Sequence, residues 1–159
     1  MRKRTFAFLV ALGLIGGGGG TVAVTLPSAA AMPASHIVGT WPNDSSSGAG
    51  GWILWSNGRV RPVGGAGFFG DARSLGLNNF VGMLGSTDIS GSGYWLVTSS
   101  GAVHGYGTPC GDGSSLQRTS ASSPASGVVG VIARSDNYAG LELVTASGGM
   151  YGYECEFND

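Results

Sequence analysis

The sequence predicts an all-β protein built from three copies of one antiparallel repeat. Three observations predict it. Two blocks of residues recur in the same order along the chain. Trp, Tyr, Val and Leu return at regular intervals, and Gly and Ser punctuate the segments between them. Disorder depletes the first group, whereas a β-protein with many tight turns needs both.

The repeat is read from the self-alignment. The segment Gly93 to Tyr106, beginning Gly93-Tyr94-Trp95-Leu96-Val97-Thr98, becomes Gly140 to Tyr153 when shifted on by 47 residues. Shifted back by 43 residues it becomes Gly50 to Val63, and neither comparison needs a gap. A second block precedes each copy: Val81-Gly82-Met83-Leu84 ending at Asp88, Val129-Gly130-Val131-Ile132 ending at Asp136, and the weaker Ile37-Val38-Gly39-Thr40-Trp41 followed by Asp44. The repeats run over about 37–80, 81–127 and 128–159, one domain over 37–159 after a flexible start at 32–36.

Each repeat reads as a run of four short antiparallel strands. The Val-Gly block is a first strand, small and apolar enough for a crowded interior. Tyr94 to Thr98 is a second, rich in aromatic and β-branched residues. Ser99-Ser100-Gly101 and Asn57-Gly58 are hairpin turns in which glycine supplies the positive φ of a two-residue loop. A third strand covers Ala102 to Gly107. Along it Val60, Val103 and Met150 alternate with Arg61, His104 and Tyr151, so one face varies between repeats. A fourth strand is expected at Phe68-Phe69-Gly70, is less clear in the second repeat and is missing from the third.

The first residues read as an export signal. Arg2, Lys3 and Arg4 precede an apolar run from Thr5 to Ile15, Gly16 to Gly20 interrupt it, and Ala29-Ala30-Ala31 offer a cleavage site after Ala31. The run is too short to span a membrane, so residues 1–31 are expected to leave and the rest to be extracellular. That remainder keeps Arg59, Arg61, Arg73, Arg118 and Arg134, no lysine and all nine acidic residues, a formal charge of −4. It lacks the basic stripe of a nucleic-acid binder or of a protein that docks on anionic lipid. In an exported chain the pair Cys110 and Cys155 is most simply a disulfide, closing a loop of about 46 residues worth roughly 4 kcal/mol in the chain-entropy model.

Val81-Gly82-Met83-Leu84, Gly93-Tyr94-Trp95-Leu96-Val97 and Gly101-Ala102-Val103-His104-Gly105-Tyr106-Gly107 resemble a repeat common in exported actinobacterial proteins. There the pattern runs V-V-G-I-A, then G-G-G-Y-W-L-V-x-S-D-G-G-V-F-x-F-G-D-A, with an aromatic-glycine segment after it. The resemblance covers nearly the whole chain beyond residue 31. It implies propeller-like blades of the WD40-like or YVTN-like kind, found beside cell-wall hydrolases or alone as binding modules, and it carries over no site residue. Propellers close with about four to eight blades, and three repeats are present here. Three arrangements stay open: a homodimer completing a six-bladed ring, a β-trefoil, or an open fragment whose edges need a partner. The small residues of the Val-Gly block suit a strand near a propeller axis, and no Gln-x-Trp repeat of lectin trefoils is found.

No catalytic motif is present: neither Gly-x-Ser-x-Gly nor His-Glu-x-x-His occurs. Asp44, Asp88 and Asp136 recur before the second strand, where calcium ligation competes with the commoner role of Asp in turns, so no metal or cofactor is expected. The candidate binding residues are Trp41, Trp55, Arg61, His104 and Tyr151. Trp41, Trp55 and Tyr151 depart from the repeat consensus, and Arg61, His104 and Tyr151 share one varying position. A packing or inter-repeat role is the competing reading for each. The expected function is a secreted, non-enzymatic binding module for cell-wall or other extracellular glycans or a surface protein. The alternatives are a hydrolase with an unrecognised site and a secreted inhibitor.

Overall fold

The computed structural model describes residues 34–43, 50–86, 92–110, 115–119, 124, 126–134 and 140–156. All belong to one unit, Pro33–Asp159. The expected export signal and Asp44, Asp88 and Asp136 lie outside the described residues.

The fold is all-β, with three antiparallel sheets. The first holds β1 (Ile37–Asn43), β2 (Gly50–Trp55) and β3 (Val60–Gly64) in that order. A 3-10 turn, Arg73–Leu75, precedes the second sheet, β4 (Phe80–Gly85), β5 (Ser92–Thr98) and β6 (Val103–Thr108). The third takes β7 (Ser115–Arg118), β8 (Val128–Ala133), β9 (Gly140–Thr145) and β10 (Met150–Glu156), in the spatial order β7-β10-β9-β8.

The strand registers follow the sequence repeat. Gly39 pairs with Leu54, Gly82 with Val97 and Gly130 with Val144. Each first strand has a bulge at the same place, leaving Val38, Val81 and Val129 out of the ladder. The three hairpins close alike: the amides of Trp55, Thr98 and Thr145 donate to the carbonyls of Arg59, Ala102 and Gly149. The loop thus has three residues, with Gly58, Gly101 or Gly148 at positive φ (79°, 85° and 83°) as its last member. The sequence predicts two-residue turns at these positions. The positive φ holds, and the extra residue is that of a three-residue loop ending in a left-handed glycine.

The sheets pack in chain order, β1 against β4 and β4 against β8. Between the first and second sheets, Trp52, Leu54 and Val60 meet Phe80, Met83, Tyr94 and Leu96. Between the second and third, Leu84, Trp95 and Val97 meet Val128, Leu141 and Leu143. β5 is therefore covered on both faces and its residues from Gly93 to Thr98 are all buried, which explains its unbroken apolar run. From Leu141 onward β9 buries alternate residues, Leu141, Leu143 and Thr145, as a strand with one covered face does.

The fourth strand departs from expectation. Phe68-Phe69-Gly70 is not a strand: Trp52 Nε1 donates to the Gly67 carbonyl (2.6 Å), Tyr94 Oη donates to the Gly70 carbonyl (2.5 Å), and the Phe69 amide donates to Tyr94 Oη (3.3 Å). Side chains satisfy this segment where a ladder would. The third sheet, expected to lack a fourth strand, has one in β7, which comes from the second repeat's stretch of sequence and pairs with β10. The Cys110–Cys155 disulfide joins the same two regions, as expected, with Cα atoms 5.4 Å apart.

Candidate functional site

The first strands bring the three repeats together at one end. Their opening residues, Ile37-Val38, Phe80-Val81 and Val128-Val129, line a cleft of about 430 Å³ that opens to solvent. The bulge places its skipped valine on this cleft in all three repeats. Such bulges re-aim a side chain at the cost of one ladder position.

A polar edge completes the cleft. The carbonyls of His36, Asn79 and Gly127 accept the amides of Ser56, Ser99 and Ala146 at 2.8, 2.8 and 2.9 Å. These three residues are equivalent in the repeat, so one backbone position is held fixed while its side chain changes from imidazole to carboxamide to none. Ser56 Oγ donates to Asn78 Oδ1 (2.8 Å) and Asn79 Nδ2 to Ser99 Oγ (3.4 Å). The carbonyl oxygen of Asn79, Oδ1, is buried without a partner. A buried acceptor left unpaired costs about 1–3 kcal/mol. The cleft offers an apolar floor and hydroxyls, with the Asn79 carboxamide in its wall and Oδ1 closed off from solvent. It can hold a neutral ligand that has both apolar surface and donor groups.

The five residues singled out in the sequence do not converge here. Arg61, His104 and Tyr151 do share one position, opposite Ile53, Leu96 and Leu143. That position lies in a different layer in each repeat. Arg61 is exposed on the outer face of the first sheet. The His104 ring lies 5.8 Å from Phe80, between the first and second sheets, with Nε2 buried and unpaired. Tyr151 packs against the core between the second and third. Trp41 is half-buried between both cores and closes on Gly85, where a Cβ would collide with its ring. Trp55 lies beneath the Arg59 guanidinium, 4.9 Å from the ring centre. The cleft was missed because its side chains are ordinary core formers. The signal that could have found it is the Val-Gly block with the varying residue two places before each valine.

Comparison with protein-family models, with curated proteins and with solved structures finds no match to this chain.

Proposed function

We propose that the protein is an exported, non-enzymatic binding module that holds a neutral extracellular glycan, such as a cell-wall saccharide, in the cleft where its three repeats converge. In this reading the sheets are propeller-like blades of the actinobacterial kind, and the trefoil is set aside. Its support is the row of sheets packed one behind the next through their Val-Gly strands. The disulfide supports export. Among the described residues no helix is long and apolar enough to cross a membrane.

The observation that carries the reading is the unpaired Asn79 Oδ1 beside a mixed apolar and hydroxyl lining. Sugar rings present apolar faces edged with hydroxyl donors, so a ligand hydroxyl supplies the missing partner when the Asn79 carboxamide rotates toward the cleft. Variation at a structurally fixed position, as at His36 and Asn79 on the cleft, is how repeat proteins shape a binding surface. The test is co-sedimentation with insoluble bacterial cell walls, with and without their attached polysaccharide. Saturable binding by the wild type is expected to weaken about 3- to 10-fold in Asn79→Leu, the equivalent of one hydrogen bond. Binding unchanged by Asn79→Leu would remove the cleft from the account.

A further inference from the structure

Each sheet is joined to the next by the same three contacts. The first is a hydrogen bond: the Phe80 amide donates to the Ser56 carbonyl and the Val128 amide to the Ser99 carbonyl, both at 3.1 Å. The second is a close approach of first strands. A Cβ on Gly39 would stand 3.3 Å from the Met83 amide nitrogen, and one on Gly82 would stand 3.0 Å from Val131 Cγ1. The third is the hairpin glycine, Gly58 against Ala72 and Gly101 against Pro124.

The face that ends the row carries the same groups with nothing against them. A Cβ added at Gly130 or Gly148 would meet nothing within 4 Å among the described residues, and Ala146 stands where Ser56 and Ser99 accept their bonds. Around them Ile132 is 45% exposed and Met150 is 56% exposed. The face that begins the row carries the receiving groups. Ile37 is equivalent to Phe80 and Val128 and is 56% exposed, and Thr40 is equivalent to Met83 and Val131. The ending face holds Glu142, paired with Ile132, and the beginning face holds Arg61, paired with Ile53.

We propose that these two faces bind each other between two copies of the chain, head to tail, closing a ring of six sheets. The occupant follows from continuity: the outer faces carry both halves of two of these three contacts, the hydrogen bond and the first-strand approach, and they hold opposite charges in Glu142 and Arg61. Head-to-tail contacts close into rings when the rotation allows, and six sheets lie within the usual range of about four to eight. The pairing is independent of what the cleft holds.

The test is light scattering on the oxidised protein over a wide concentration range. The wild type is expected at twice the mass of one chain. Thr40→Glu sets a second carboxylate against Glu142, and Ile132→Glu buries a charge on the opposite face. Each alone is expected to halve the mass while leaving far-UV dichroism unchanged. A wild type that stays at single-chain mass overturns the proposal. So does a dimer that survives either variant, because copies pairing through one face alone would lose only that face's variant. If the glutamates disturb folding, Thr40→Cys with Gly130→Cys provides a second route. Oxidation is expected to give a covalent product limited to two chains, and a single-chain product or a longer ladder overturns the ring.

Discussion

Gly82 of β4 lies against Val131 of β8, close enough that a Cβ would stand 3.0 Å from Val131 Cγ1. The equivalent Gly130 faces open space. Gly82→Ala is therefore expected to destabilise the chain by about 1–2 kcal/mol through overpacking. Gly130→Ala is expected to change it by less than about 0.5 kcal/mol. Urea midpoints at low protein concentration check both, and equal losses would contradict the one-sided packing of the first strands.

Tyr94 is the tie between the second sheet and the segment 67–70. Its hydroxyl donates to the Gly70 carbonyl and accepts the Phe69 amide. Tyr94→Phe leaves both backbone groups without this partner while keeping the ring against Trp52 and Phe69. A loss of about 1–2 kcal/mol is expected, with faster hydrogen exchange at the Phe69 amide. Unchanged exchange there would show that the segment is held by other contacts.

Burial pushes the Tyr94 hydroxyl above the ordinary tyrosine value, with the Asp71 carboxylate adding to the rise, and burial followed by Asp71 does the same at Tyr106. The folded state thus holds these protons more tightly than the unfolded chain. The associated stability is complete below the ordinary value near pH 10 and is lost as pH rises from there through the raised values. Alkaline titration of thermal stability is expected to show a decline starting near pH 10, reduced in Tyr94→Phe. A decline of the same size in the variant would assign it to other groups.

The disulfide fixes the residues just after β6 to β10 beside β7. Reduction is expected to lower stability by about 4 kcal/mol, the chain-entropy value for a loop of this size. Urea unfolding with and without reductant measures it. A loss below about 1 kcal/mol would mean that Leu116, which pairs with Cys155, and its neighbours hold β7 in place without the bond.

The repeat, the first three strands of each copy and the disulfide were legible because each has a local signature. Trp95 and Val97 alternate with Tyr94 and Leu96, and Gly58, Gly101 and Gly148 recur at turns that need positive φ. The fourth strand was not legible. Whether Phe68-Phe69-Gly70 forms a ladder depends on Tyr94 and Trp52, 24 and 15 residues away in sequence, and not on its own composition. The shared position of Arg61, His104 and Tyr151 was visible in the alignment, yet its meaning changes with the layer in which each repeat buries it. The cleft was hidden for a related reason: Val38, Val81 and Val129 look like interior strand residues until a bulge takes them out of the ladder.

The binding claim is tested most directly by titrating soluble cell-wall glycan fragments into the isotopically labelled protein and following its amide resonances. Saturable shifts are expected at His36 to Val38, Asn78 to Val81 and Val128-Val129, with about 3- to 10-fold more fragment needed to reach their midpoint in Asn79→Leu. Shifts confined to Trp55, Arg59 and Arg61, or no shifts at any fragment concentration, would contradict it.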